Sequence, residues 1–204
     1  ATIGHGLGAV PKVIFSRKTA VDNWFSYFSD IGPTKYLLLE ASDTTATSSN
    51  VFNDTAPTSS VFTKGGPANE NAATYISYCF AEKTGFSKFG SYTGNGNTDG
   101  TFVYTGFKPA WVIVKNSSAT ANWVATDNKI SFNGKGSNES NVLFPSTTGT
   151  LNDGYGLQMY SNGFALKGGD SASATVNGSG NIYVYMAFAE APLVGSNNIP
   201  ATAR

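Results

Sequence analysis

Two stretches of the chain spell nearly the same strand. Residues 75–82 read Tyr-Ile-Ser-Tyr-Cys-Phe-Ala-Glu and residues 183–190 read Tyr-Val-Tyr-Met-Ala-Phe-Ala-Glu, with four of eight positions identical. Both are short runs of aromatic and β-branched residues, with Asn, Gly and Pro close by, the pattern of a buried strand. Positions 75, 77, 79 and 81 would line one face and 76, 78 and 80 the other. Both faces are largely uncharged, so each copy is expected at the centre of a sheet, covered on both sides.

The echo extends outward. Pro11-Lys-Val-Ile-Phe-Ser-Arg17 matches Pro109-Ala-Trp-Val-Ile-Val-Lys115, Asn23-Trp24 matches Asn122-Trp123, and Lys64-Gly65-Gly66 matches Lys167-Gly168-Gly169. The offsets rise in order, 98, 99, 103 and 108, as in two copies of one unit whose loops have gained insertions. The first copy shows no counterpart of residues 89–96; that strand is expected ahead of Ala1, in keeping with a piece of a longer chain. The expected organisation is a first unit over 1–87 and a second over 88–204, with one larger sandwich built from both copies as the rival.

Within each unit the sequence reads as six to eight short strands. Expected strands include 12–17, 23–29, 35–40, 51–53, 59–64, 89–93, 101–107, 110–116, 122–127, 141–144, 155–161, 163–167 and 182–191. Asn162-Gly163 is the strongest hairpin signal, and Asn95-Gly-Asn-Thr-Asp-Gly100 reads as a second hairpin-type connection. Residues 133–139 read as loop and 192–204 as a tail. No stretch sustains a helical period. The fold class is therefore all-β: two tandem β-sandwich repeats, of jelly-roll type.

Composition narrows the function classes. Charged residues make up 13% of the chain, about half the usual share, so Ser, Thr, Asn and Gly must supply the polar surface. Net charge is zero with no basic block, so no nucleic-acid partner is expected. No apolar run approaches a membrane span. The single cysteine, Cys79, falls within the strand echo and reads as a small core residue, matched by Ala187. The lack of a disulfide points to folding in a reducing compartment. A start at Ala1 instead of Met suggests a processed product or a piece of a longer chain.

Reactive chemistry is sparse. The only histidine, His5, stands between glycines and reads as part of a flexible strand. The 13 acids are scattered; Glu82 and Glu190 recur at matching strand ends, which suits a charge bonding turn amides better than a catalytic pair. Asp99, Asp153 and Asp170 lie in Gly/Asn-rich loops but lack the acid density of a calcium site. Sequons at Asn53, Asn116, Asn138 and Asn177 follow from composition. No metal, cofactor or catalytic residue is expected. Aromatic faces can stack on sugar rings. Trp24 and Trp123 recur between copies and read as core; Tyr92 is a further aromatic of this kind. Tyr155 and Tyr160, without counterparts in the first copy, are the candidate ligand contacts.

Several motifs together carry a resemblance. Gly4-His-Gly-Leu-Gly8 ahead of Pro11, Asp22-Asn-Trp24, Asn53-Asp-Thr-Ala-Pro-Thr-Ser-Ser-Val-Phe62, Phe89-Gly-Ser-Tyr-Thr-Gly-Asn-Gly96, Thr105-Gly-Phe-Lys-Pro109 and the two Phe-Ala-Glu endings resemble repeated domains of structural proteins from tailed phages and prophages. The resemblance covers nearly the whole chain. It implies a concanavalin-like sandwich, a place in a virion with other virion proteins as partners, and a tail-fibre or tail-tip role. It carries no catalytic residues to transfer. Val-Asn-Gly-Ser-Gly, usual before the closing strand, stands at residues 176–180, whereas the first copy has residues 65–71 there.

The expected function is thus a tail-fibre or receptor-binding module engaging host surface glycans, a homotrimer by analogy with phage fibres. The alternative is a purely architectural virion part such as a capsid decoration protein. A polysaccharide depolymerase would need two facing carboxylates, for which no residues speak.

Overall fold

The computed structural model describes residues 1–20, 22–130, 140–148, 152–169 and 174–190. The loop expected at 133–139, Asn138, Asp170 and the tail 192–204 lie outside them. Among the described residues the only helical element is a 3₁₀ turn, Gly66–Ala68; the fold is all-β. The first half contributes β1 (Thr2–Gly4), β2 (Val13–Lys18), β3 (Phe25–Phe28), β4 (Lys35–Leu38), β5 (Ala46–Thr47), β6 (Val61–Thr63) and β7 (Tyr75–Phe80). The second contributes β8 (Ser87–Thr93), β9 (Asp99–Tyr104), β10 (Pro109–Asn116), β11 (Val124–Asp127), β12 (Ser140–Val142), β13 (Asn152–Tyr160), β14 (Gly163–Gly169) and β15 (Ile182–Ala189).

The described strands form a two-stranded ribbon, β1-β6, and three antiparallel sheets: sheet I (β5-β4-β3-β2-β7), sheet II (β11-β10-β15-β8) and sheet III (β12-β13-β14-β9). Alternation along each strand decides how they stack. On β15, Tyr183, Tyr185 and Ala187 join Leu157, Phe164 and Leu166 in the core between sheets II and III. The intervening Val184 and Met186 turn to the other side, where they meet Val13, Phe28 and Leu37 between sheets I and II. A third cluster, with Ile14, Tyr27 and Phe62, fills the space between sheet I and the ribbon. Sheets I and II, one from each half, thus share a core. The loop after β4 adds polar ties: Thr44 and Thr45 donate to Ser117 O, and Ala121 N–H to Ser42 O.

The pairing of the echo strands recurs residue for residue. On β7 and β2, Phe80 faces Val13 and Ser77 faces Ser16. On β15 and β10, Phe188 faces Trp111 and Tyr185 faces Val114, the positions matched by the sequence offsets. The hairpin partners follow suit, with Ile14 opposite Tyr27 and Val112 opposite Thr126.

The structure departs from the sequence reading at several places, three of which shape the sheets. Residues 51–53 form a turn, not a strand: Asn53 and Asp54 take positive φ (54° and 45°), and buried Val51 and Phe52 anchor the turn. Asn and Asp tolerate that backbone better than other side-chain-bearing residues. Residues 95–100 do not close a hairpin. β8 pairs with β15 and β9 with β14, so the connection steps between sheets, fastened by Asn177, whose amide donates to Asn95 Oδ1 and Asn97 O. Finally, among the described strands β15 is central but β7 lies at an edge, with Ile76 40% and Tyr78 49% exposed.

Candidate binding face on sheet III

Asn162-Gly163 does make the expected hairpin, pairing Tyr160 with Gly163. It holds β13 and β14 side by side, and β9 completes the row with Tyr104 opposite Gly163 and Phe102 opposite Ala165. Leu157, Phe164 and Val103 point into the core, so alternation sends Gln158, Tyr160, Phe102 and Tyr104 outward. Phe102 is 46% and Tyr104 65% exposed, well beyond what core packing leaves open. The Phe102 and Tyr160 rings meet edge to face at 6.0 Å, and the Tyr160 hydroxyl donates to Gln158 Oε1 at 2.8 Å. At one end Lys167 pairs with Asp99 at 2.6 Å, and that carboxylate raises the lysine above its ordinary pKa. The result is an aromatic platform rimmed by an amide, phenols and an ion pair.

Gly163 makes the platform possible. A Cβ there would stand 2.1 Å from Val103 O and 2.9 Å from Phe102 Cζ. Without one, the Phe102 ring reaches across the strand.

Of the two candidate tyrosines, Tyr160 belongs to this face. Tyr155 instead packs on the core between sheets II and III, edge to face with Phe144 at 5.4 Å. Alternation separates them: Tyr155, Leu157 and Met159 share the inward face, and Gln158 and Tyr160 the outward one. Phe102 and Tyr104 were not singled out from sequence; the alternation of Phe102-Val103-Tyr104 was the signal available.

The remaining candidates disperse. Trp123 is fully buried, its indole donating to Leu38 O at 2.8 Å, and Tyr92 is buried as well. Trp24 is half-buried, stacked on Tyr78 at 6.0 Å with the Arg17 guanidinium 5.7 Å away. The echo positions Trp123, Val184 and Met186 are covered, whereas this end of sheet I, with Trp24, Ile76 and Tyr78, is not. His5 is held at both ring nitrogens: Nδ1 accepts from Leu7 N–H, so Nε2 is the one that donates, to Thr58 O. Glu82 accepts from Phe89 N–H and pairs with Lys88. Glu190 pairs with Lys129, which lowers its pKa. Among the described residues no group of His, Cys, Asp or Glu could hold a metal ion. Asn116 and Asn177 are fully buried and unavailable as glycan acceptors in the folded chain; Asn53 is exposed.

Two lysines are buried. Lys64 donates to Ser16 Oγ at 2.7 Å, and its Nζ lies 3.7 Å from the Tyr75 ring centre. Lys115 donates to Asn116 O and, across the halves, to Ser42 O. Desolvation lowers both to about 8, against weak opposing pulls from Asp22 and Asp43 respectively.

No curated protein and no solved structure matches the chain. One family model does, over residues 1–192, and so spans both echo copies. The chain belongs to the family described as a domain of unknown function, DUF7483.

Proposed function

We propose that this protein is a non-catalytic recognition module of a virion, a tail-fibre or tail-tip part that docks on host surface glycans through sheet III. The observation carrying this reading is the platform of exposed Phe102 and Tyr104 beside half-buried Tyr160, with Gln158 and the Lys167–Asp99 pair at its rim. A flat aromatic face suits the apolar side of a pyranose, and the rim offers donors and acceptors to its hydroxyls. The low-charge surface and the likeness of the motifs to phage structural domains support the same reading. Trimerisation is part of the proposal, by analogy with phage fibres.

Binding of the full chain to an array of bacterial surface glycans tests it. Phe102→Ala with Tyr104→Ala removes two rings, each worth about 1 kcal/mol of stacking, and affinity should fall at least about tenfold with the fold intact. A chain that binds no glycan, or a variant that binds as well, overturns the reading.

The uncovered Trp24–Tyr78–Ile76 end of sheet I favours a second reading, an architectural part such as a capsid decoration protein seated on a neighbour through that patch. Imaging the protein on the capsid shell would establish this reading in place of the first.

A further inference from the structure

Sheet I stops at β7, at the place where sheet II continues. In sheet II the echo strand β15 has β10 on one side and β8 on the other. β7 has β2 on the matching side, in the matching register, and no described strand on the other. Lys12 N–H bonds to Phe80 O, and Thr19 N–H to Thr74 O. In an antiparallel ladder this turns the peptide groups of the even positions toward β2 and those of Ser77 and Cys79 toward the open side. A cleft of about 510 Å³ runs there, between Ile3, His5 and Phe62 on the ribbon and Tyr75, Ser77 and Cys79 on β7.

The second half shows what fits such a space. Tyr92 of β8 stacks on Tyr183 with ring centres 4.9 Å apart and donates to Val176 O at 2.6 Å. Tyr183 is the echo of Tyr75. Gly90 lies against the Tyr185 ring, where a Cβ would come within 3.2 Å and the ring would have to give by a few tenths of an ångström.

The ribbon indicates where such a strand would enter. β1 pairs with β6 through Ile3 and Phe62, as β9 pairs with β14 through Val103 and Phe164. Gly8 and Gly106, each three residues before Pro11 and Pro109, both take positive φ. β1 therefore stands where β9 stands, and in the second half β8 leads directly into β9. The N-terminal nitrogen of Ala1 bonds to Lys64 O, the residue whose ammonium sits on the Tyr75 ring.

We propose that the open side of β7 is a strand-acceptor site, filled by an extended segment of β8's pattern, with a tyrosine over Tyr75 on the cleft side, that runs antiparallel to β7 and leads into β1. Strand addition of this kind draws its affinity from main-chain hydrogen bonds and its specificity from alternate side-chain pockets. It also covers an exposed edge, which is otherwise a template for unwanted pairing. This inference stands on the pairing pattern and is independent of the glycan reading.

The test appends a copy of residues 86–100 ahead of Ala1 in the full chain, so that Ala1 takes the place of Thr101. Linkage in cis gives the strand a millimolar effective concentration. Amide exchange at Ser77 and Cys79 should slow at least about tenfold relative to the unextended chain. The same extension carrying Gly90→Pro in the appended copy lacks a ladder N–H and should lose that protection. Unchanged exchange at Ser77 and Cys79, or equal slowing with the proline copy, overturns the proposal. So does protection of these amides in the unextended chain that grows with protein concentration alongside dimer in sedimentation, because a second copy would then be the occupant.

Discussion

Phe80 and Phe188, the same position of the two echo strands, meet edge to face across the halves, with ring centres 6.1 Å apart. Equivalent residues touch in this way when two like surfaces pack about a local two-fold. Around them, Phe80 also meets Phe15 and Phe89, and Phe188 meets Phe86, Phe89 and Trp111. The core between sheets I and II is therefore flanked by an aromatic cluster drawn from both halves.

That contact predicts the cost of breaking it. Phe188→Ala and Phe80→Ala should each destabilise the chain by about 3 kcal/mol. The double variant should be less destabilised than the sum by about 0.5–1.5 kcal/mol, the worth of an aromatic pair beyond its buried area. Urea unfolding of the four chains measures the coupling. Strict additivity would mean that the rings do not communicate.

Stability should rise with alkali before it falls. Lys64 and Lys115 hold protons less tightly when folded, at about 8, than the ordinary 10.5. Between about pH 8 and 10.5 the unfolded chain binds more protons, so unfolding free energy grows by up to ~1.4 kcal/mol per pH unit for each lysine. Burial acts oppositely on Tyr27, Tyr92, Tyr183 and Tyr185, raising the phenols above 10, Tyr185 to about 12, and on the Cys79 thiol, raised above 9.0. Those groups ionise first in the unfolded chain, so stability declines as pH passes upward through their unfolded values. Melting temperature should peak near pH 10, and Lys64→Met should flatten the rise by about half.

Asn177 fastens the step between sheets II and III. Its Oδ1 accepts from Asn95 N–H and the Thr101 hydroxyl, and its Nδ2 donates to Asn95 Oδ1 and Asn97 O. Asn177→Ala strands several of these groups away from water and should cost about 2–4 kcal/mol. The damage should be local, visible as accelerated amide exchange over residues 94–100 before global unfolding.

Much of this architecture was legible in the sequence because strands announce themselves by alternation and turns by chemistry. Asn162-Gly163 flanked by alternating residues could hardly be anything but a hairpin. Asn95-Gly96 looked alike, yet its flanking strands find partners in different sheets, a choice made by β15 and β14 far along the chain. Nothing within residues 75–80 marks β7 as an edge, since its pattern matches that of β15 and only the described neighbours differ. The Lys-Gly-Gly echo hides opposite fates: Lys64 is buried on Tyr75 while Lys167 reaches Asp99 at the surface. The lack of a counterpart in the first copy groups Tyr155 with Tyr160, yet their odd spacing along one strand already sends them to opposite faces.

Gly163 joins hairpin, register and platform in one residue, so Gly163→Ala should separate surface function from core integrity. The new Cβ would collide with Val103 O, a backbone atom that cannot rotate away, and with the tip of Phe102. Relieving the first contact requires β9 and β14 to part locally, at a cost of about 1–3 kcal/mol. Relieving the second swings the Phe102 ring off the strand and out of contact with Tyr160. If sheet III is the glycan face, this variant should remain folded at room temperature, melt several degrees lower, and lose binding comparable to Phe102→Ala. A lowered melting point with glycan binding unchanged would show that the ring's position across Gly163 does not matter to the ligand, and would move the binding face elsewhere.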